Sequence, residues 1–197
     1  FELTRLLLPI MRRTKAKGEY KSKRVVMVTS YGHTFIPDSE YFDVKMMPFN
    51  ETTYPSIYQP FKRMFYPYAV SKLANILMAK ELATREQEIT AYSVHPGVIS
   101  TNIGAQRPGA TIWDSIAHHA STIGTKLFWG SIPYKKSLSQ GAATTVKCAV
   151  WPKWQRDSGK FYSDLQNGDH ISTKRAKNAT LARELWLHTE NLLSTLT

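Results

Sequence analysis

Apolar residues along the chain alternate between continuous runs and stretches with helical periodicity. Residues 24–30 form a continuous, β-branched run that ends on two hydroxyl residues, and residues 89–95 form a second β-branched run. Between them, residues 68–85 place apolar side chains at helical spacing and contain neither glycine nor proline. Continuous β-branched runs are typical of strands buried in a parallel sheet. The pattern therefore predicts a strand, a long helix and a second, parallel strand, which is an α/β arrangement.

The same periodicities predict the remaining elements. We expect helices over residues 1–11, 140–150 and 180–193, and a short strand over residues 159–163. Residues 31–67 instead carry five prolines and many aromatic side chains, which predicts a long ordered loop. This loop either roofs a pocket for an apolar substrate or fills a small core of its own. No internal repeat and no second domain is evident.

Composition narrows the classes of function. The chain has 197 residues and 42% hydrophobic residues, enough to bury a core. Its net charge is +11, and much of this charge lies in a basic run between Arg12 and Arg24. Such a run can contact nucleic acid or an anionic membrane. A solvated loop between a helix and a strand is the interpretation we favour, because blocks of charge usually lie in exposed connections.

Cysteine and histidine usage argues against a metal site. Cys148 is the only cysteine, so an intrachain disulfide and a cysteine-only metal site are both excluded. The six histidines show no metal-ligand spacing with carboxylates. The longest apolar runs fall short of the roughly 20 residues that a membrane-spanning helix needs. We therefore expect neither a metal nor a membrane span in this segment.

Tyr68 and Lys72 are the first candidate chemical groups. Four residues of helical spacing place them on one face, with Cβ atoms about 5–6 Å apart. Tyr58 and Lys62 share this spacing, but Pro60 lies between them, and a proline in the middle of a helix costs about 3 kcal/mol. The spacing alone is common by chance, so the pair needs partners before it indicates a function.

The strand ends supply those partners. Ser30 ends the strand before the helix, and Pro96 and Gly97 follow the strand after it. The carboxyl ends of parallel strands meet at one edge of an open α/β sheet, where nucleotide ligands bind. Ser30, Tyr68, Lys72 and Pro96 are therefore expected to gather at that edge.

Taken in order, these motifs resemble the short-chain dehydrogenase/reductase family, and they are closest to its retinol dehydrogenase-like and WW-domain oxidoreductase-like branch. The matching stretches are Leu3-Thr-Arg-Leu-Leu-Leu-Pro9, the strand that ends at Ser30, Tyr68-x-x-x-Lys72 followed by Leu73-Ala-Asn-Ile-Leu77, His95-Pro-Gly-Val-Ile-Ser-Thr101, Gln140-Gly-Ala142 and Ser158-Gly-Lys-Phe-Tyr162. The sequence departs from the branch at Met27 and Thr29, where asparagine and serine are usual. These departures bear on the substrate more than on the reaction.

The resemblance implies an α/β fold that is the C-terminal portion of a Rossmann-like, doubly wound parallel sheet with flanking helices. Residues 1–197 would then be a single partial NAD(P)-binding domain, because Phe1 matches a point within the family fold. On this interpretation the chain is N-terminally truncated and lacks the half with the glycine-rich phosphate loop and the ribose-reading residue. The family asparagine that completes the catalytic tetrad would also precede Phe1.

The resemblance further implies a division of roles among the candidate residues. Tyr68 would transfer a proton to or from the substrate oxygen, since a nearby cation favours the phenolate of a group whose ordinary pKa is near 10. Lys72 would supply that charge and hold the nicotinamide ribose, and Ser30 would donate a hydrogen bond to the reacting oxygen. The cofactor-binding residues would be Tyr68, Lys72, Pro96, Gly97, Val98, Ile99 and Thr101.

The function implied is an NAD(P)-dependent oxidoreductase that interconverts an alcohol and a carbonyl on an apolar substrate. The cofactor is NADP or NAD, with NADP slightly favoured by the resemblance. The expected partner is a small alcohol, ketone or aldehyde rather than nucleic acid, and a homo-oligomer is left open. The compartment is undetermined, either cytoplasmic or membrane-associated through a segment preceding Phe1. Two alternatives remain, which are a non-catalytic remnant unable to hold the cofactor and a basic nucleic-acid-binding module.

Overall fold

The computed structural model describes residues 1–14, 23–36, 38, 42–46, 60–99, 136–152 and 157–196. The helices are α1 (Glu2–Arg13), α2 (Pro60–Arg85), α3 (Leu138–Val150), α4 (Lys174–Lys177) and α5 (Ala179–Ser194), and the strands are β1 (Lys23–Val28), β2 (Ile89–His95), β3 (Lys160–Ser163) and β4 (Gln166–Asn167). Short 3-10 helices span Tyr31–Phe35, Val44–Met46 and Asp169–Ile171. The larger of two compact units comprises Phe1–Pro96 with Ala143–Thr197, and the smaller comprises Gly97–Ala142.

The predicted strand, helix and parallel strand are confirmed in the larger unit. β1 pairs in parallel with β2, from Lys23 opposite Ile89 to Val28 opposite Val94. β3 pairs in parallel with the other edge of β2, and β4 adds a short antiparallel hairpin, so the strand order is β1-β2-β3-β4. The fold is α/β with an open, largely parallel, Rossmann-like sheet.

Helices cover both faces of this sheet, as the alternation along β2 requires. Ala91 faces a cluster that includes Leu82 of α2 and Trp186 of α5. Tyr92 faces the opposite way and packs in a second cluster with Cys148, in the part of α3 that belongs to the larger unit. Successive residues of β2 therefore bury opposite faces, which is the doubly wound arrangement.

The long helix begins earlier than its sequence pattern indicates. α2 starts at Pro60 rather than at residue 68, where the predicted helix begins, so Pro67 lies inside the helix. An internal proline removes a backbone hydrogen bond and costs about 3 kcal/mol. The residues that follow it offset this cost, because Ala69, Val70 and Leu73 are fully buried in the main core cluster. Tertiary packing thus outweighs the local preference of proline.

Part of the aromatic segment between β1 and α2 is described, and three of its apolar residues belong to the core or pack against it. Ile36 and Val44 are buried in the main core cluster, which also contains residues of α2 and α5, and Phe42 packs against this cluster. A pocket roof formed by this segment stays a prediction, since most of residues 37–59 lies outside the described part. Along the described residues, no helix combines the length and apolar character needed to cross a bilayer.

Candidate active site

The carboxyl end of β1 is fastened to the middle of α2 by two side-chain hydrogen bonds. The hydroxyl of Thr29 donates to the carbonyl of Lys72 over 2.6 Å, and the side-chain amide of Asn75 donates to the carbonyl of Val28 over 3.0 Å. Thr29 also extends the sheet, because its N–H donates to the carbonyl of Val94 over 2.8 Å. Thr29 is only 3% exposed, so its own two bonds are shielded from water. They set the rotation and the axial position of α2 relative to the strand end.

Ser30 opens a tight 3-10 turn that fixes both its backbone and its side chain. Its hydroxyl oxygen accepts a hydrogen bond from the N–H of Gly32 over 3.0 Å. Its carbonyl accepts from the N–H of His33 over 3.2 Å and lies 2.8 Å from Nδ1 of the same residue. A hydroxyl carries one proton and two acceptor lone pairs. Because the Gly32 N–H occupies a lone pair, the Ser30 proton remains available for an acceptor such as a substrate oxygen.

The same turn is attached to the end of β2. The N–H of Tyr31 donates to Nδ1 of His95 over 3.2 Å, and the two rings lie 6.4 Å apart. Pro96 follows His95 directly. The carboxyl ends of β1 and β2 are thus joined by a hydrogen bond as well as by their ladder.

Gly32 brings the Ser30 turn against the ring of Tyr68. A Cβ at Gly32 would lie 2.7 Å from Cε1 and 3.3 Å from Cδ1 of Tyr68, and 3.4 Å from Oγ of Ser30. Non-bonded carbons pack best at about 3.5–4.0 Å. Only a residue without a side chain allows the phenol ring and the turn to approach this closely. The Tyr68 ring and the Ser30 hydroxyl therefore flank the same backbone position.

Lys72 lies on the same face of α2 as Tyr68. Its Nζ is 5.4 Å from the centroid of the Tyr68 ring, within the range of a cation–π contact. The Tyr68 side chain is 44% exposed and Lys72 is half-buried, so the phenol is accessible while the ammonium is partly shielded. The pair therefore places an accessible phenol next to a cation.

The smaller unit contains the next part of the candidate cofactor stretch, Gly97 to Ile99. Gly97 has a φ of +89°, and a Cβ there would lie within 2.7 Å of the Lys136 side chain. Within this unit the N–H of Lys136 donates to the carbonyl of Val98 over 2.8 Å, and Ile99 pairs with Lys136 in a parallel bridge. A left-handed backbone favours glycine. The turn after β2 thus depends on Gly97, while Thr101 lies outside the described residues.

Ser30, Tyr68, Lys72 and Pro96 belong to the larger unit. Within it, Ser30 and Tyr68 meet at Gly32, and Lys72 lies beside the Tyr68 ring. Gly97, Val98 and Ile99 belong to the smaller unit.

Four further residues shape this site without having been singled out as site residues: Thr29, Gly32, His33 and Asn75. Thr29 and Asn75 stand in the motif stretches, so their positions were visible but their bonding partners were not. A glycine two residues after a strand-ending serine is a weak signal that another group packs closely against the backbone there, as the Tyr68 ring does at Gly32. Nothing in the sequence pattern indicated that His33 is buried.

Comparison with known proteins extends over most of the chain. WW domain-containing oxidoreductase of Gallus gallus is 32% identical over 200 residues, which are 98% of this chain and 41% of that protein. Short-chain dehydrogenase TIC 32 A of Brassica napus, a chloroplastic protein, is 30% identical over 203 residues, which are 100% of this chain and 54% of that protein. Retinol dehydrogenase 12 of Mus musculus is 36% identical over 123 residues, 61% of this chain and 34% of that protein.

The chain belongs to the short-chain dehydrogenase/reductase family. It spans between about a third and about half of the length of these relatives. A crystal structure of an uncharacterised protein from Mycobacterium paratuberculosis has a TM-score of 0.54 and 24% identity, covering 96% of this chain and 53% of that one, which supports the fold. No family model matches the chain. The correspondence of Ser30, Tyr68 and Lys72 to the serine, tyrosine and lysine of the family motif stays a prediction.

Proposed function

We propose that this chain carries the catalytic residues of an NAD(P)-dependent oxidoreductase that interconverts an alcohol and a carbonyl. The observation that carries the proposal is that Tyr68 lies next to two other groups: its ring and the Ser30 hydroxyl flank Gly32, and the Lys72 ammonium lies 5.4 Å from the centroid of that ring. A donor, a titratable hydroxyl and a cation are the groups that proton transfer at a substrate oxygen requires.

The residues present fit the reactive end of a nicotinamide cofactor. Ammonium and hydroxyl groups suit a ribose, and Pro96 and the glycine turn that follows it come directly after a parallel strand, the usual place for a nucleotide in this class of fold. Lys72 would hold the ribose hydroxyls, and Pro96 would lie next to the nicotinamide. A role for Gly97, Val98, Ile99 and Thr101 in lining the nicotinamide stays a prediction from the family motif. The cofactor, NADP or NAD, would supply the carbon that accepts or donates the hydride.

The chain's own residues would manage the proton and the orientation of the substrate. The Ser30 proton is free to bond the substrate oxygen, because the N–H of Gly32 occupies a lone pair of the hydroxyl. For alcohol oxidation, the Tyr68 phenolate would take the hydroxyl proton, and for carbonyl reduction the Tyr68 phenol would return it. Lys72 would place its positive charge beside the Tyr68 ring, 5.4 Å from the ring centroid.

Exposed aromatic side chains next to the turn support an apolar substrate. Tyr31 and Phe35, at the two ends of the 3-10 helix that follows Ser30, are among the exposed large hydrophobic residues. Apolar and aromatic walls with few polar groups are typical of small-molecule sites. We therefore propose alcohols, ketones and aldehydes with a sizeable apolar group as the substrate class.

The test combines cofactor titration with a phenol deletion. NADPH and NADH are titrated against the chain, and turnover of apolar alcohols and ketones is followed by nicotinamide absorbance. We expect Tyr68→Phe to abolish turnover with the fold retained, because Phe lacks the proton-carrying oxygen. Tyr66→Phe, a phenol deletion two residues earlier on α2, is the matched control and should remain active.

Two results would oppose the proposal. Normal turnover in Tyr68→Phe would exclude Tyr68 as the acid–base. Failure of the chain to bind either dinucleotide would support the non-catalytic alternative. The comparisons lend no support to a nucleic-acid-binding function.

A further inference from the structure

We infer that His33 is a positioning residue for Ser30, one that holds the Ser30 turn through a neutral imidazole; this inference rests on the function proposed above. His33 lies three residues after Ser30, and its side chain is fully buried. Its Nδ1 lies 2.8 Å from the carbonyl oxygen of Ser30, beside the backbone N–H of His33 that bonds the same oxygen. The imidazole thus adds a second donor to the carbonyl of the residue that presents the hydroxyl.

The hydrogen-bond partner assigns the tautomer of His33. A carbonyl oxygen only accepts, so Nδ1 must carry a hydrogen. Burial lowers the pKa of His33, although the bond to Ser30 and the charge of Asp38 act in the opposite direction. Nε2 is buried and has no hydrogen-bond partner among the described residues. A second N–H at Nε2 would be a buried donor without an acceptor, which is costly, so the ring is neutral with its hydrogen on Nδ1.

The surroundings of the ring explain how it can position Ser30. The His33 imidazole packs edge-on against Phe161 of β3, with 5.4 Å between ring centroids and a 72° angle between planes. Phe161 is a core residue of the sheet, and its side chain is buried. The ring of Tyr31, the titratable group beside it, lies 6.3 Å away. The imidazole therefore connects the Ser30 carbonyl to the rigid core, while the Ser30 hydroxyl stays at the edge of the site.

Two substitutions separate this role from simple packing. His33→Leu fills the buried space with apolar atoms but removes the donor to Ser30. His33→Asn loses apolar packing but places an amide nitrogen near the position of Nδ1, so it can still donate. If His33 only fills space, His33→Leu should lower kcat less than His33→Asn does. If His33 positions Ser30, His33→Asn should lower kcat less than His33→Leu does.

The kinetic test compares both variants with the parent chain and with Tyr68→Phe. We expect His33→Leu to lower kcat by about 10²-fold, the effect of a misplacement of about 1 Å at a reacting group. KM should stay within about twofold, since Ser30 acts mainly on the transition state. His33→Asn should recover most of the lost kcat. A folded His33→Leu variant with normal kcat, or a His33→Asn variant no more active than Leu, would overturn the inference.

A second measurement does not depend on turnover. Long-range proton–nitrogen NMR of the parent chain near neutral pH should show His33 with a protonated Nδ1 and an unprotonated Nε2. A hydrogen on Nε2, or on both nitrogens, would overturn the inference even if the chain proves inactive. If the parent chain shows this tautomer but has no oxidoreductase turnover, the result counts against the proposed reaction and not against the role of His33.

Discussion

A methyl group at Gly32 is the sharpest perturbation of the proposed site. In Gly32→Ala the new Cβ would start 2.7 Å from Cε1 of Tyr68, so reaching an ordinary contact of about 3.5–4.0 Å requires the ring to move by roughly 1 Å. The backbone at Gly32 is not left-handed and accepts alanine without strain. Tyr68 is 44% exposed, so its ring can swing toward solvent at little cost in stability.

The expected result is therefore a loss of activity with little loss of stability. A displacement of about 1 Å at a reacting group lowers kcat by about 10²-fold, while the free energy of unfolding should change by less than about 1 kcal/mol, below the usual cost of overpacking. Steady-state kinetics measure the first quantity, and urea denaturation followed by circular dichroism measures the second. In a Tyr68→Phe background, Gly32→Ala should cause little additional loss, because both changes act through the same phenol.

Gly168→Ala is the matched control. Its Cβ would lie 2.9 Å from Cδ1 and Cε1 of Phe161, a similar overlap with an aromatic ring. Phe161 is buried and cannot swing away, so this variant should lose about 1–3 kcal/mol of stability. The reasoning fails if Gly32→Ala retains full kcat, or if it destabilises the chain as much as Gly168→Ala does.

Two further predictions concern stability. Leu165, in the turn between β3 and β4, has a φ of +62°. This left-handed backbone costs a non-glycine residue about 1–2 kcal/mol. Leu165→Gly should therefore raise the free energy of unfolding by about 1 kcal/mol. Leu187, in α5, has the same 44% exposure, and Leu187→Gly should instead lower the free energy of unfolding by about 1 kcal/mol, measured by the same urea titration. If both glycine variants change the free energy of unfolding in the same direction, the argument is contradicted. Asp38 accepts hydrogen bonds from the N–H groups of Lys174 and Arg175 over 2.9 and 3.1 Å; partial burial opposes the shift, but these bonds and the two positive charges lower its pKa. Because the pKa of Asp38 is depressed in the folded chain, this stabilisation is present above about pH 4 and is lost as the pH falls through the folded pKa. Asp38→Asn should therefore have a lower free energy of unfolding than the parent chain at neutral pH, and the difference between the two should shrink in acid. A difference that does not change with pH would refute the linkage.

The elements of the fold could largely be predicted from local pattern. Two strands and the helix between them were expected because β-branched runs and helical periodicity each depend on residues close in the chain. β2 was predicted over its full observed length, from Ile89 to His95. Helix starts were less predictable, since the preference of Pro67 for a first turn yields to burial of Ala69 and Leu73 in the core.

The candidate residues also followed from the chain, but their geometry did not. Four residues of spacing put Tyr68 and Lys72 on one helix face, and strand ends placed Ser30 near them in outline. Which hydrogen bonds hold them could not be inferred, because Thr29 and Lys72 are 43 residues apart in the chain and meet only through the packing of α2 on the sheet.

By itself, the sequence determined the order of β1, α2 and β2 and the α/β class, and it supplied the groups that we propose move a proton. Only the tertiary structure decided that Ser30 and Tyr68 converge at Gly32, and that the buried His33 ring lies between the Ser30 carbonyl and Phe161. The physical reason is one of range. Periodicity records which side of its own element a residue occupies, whereas close approach and burial depend on atoms contributed by segments that are far apart in the chain.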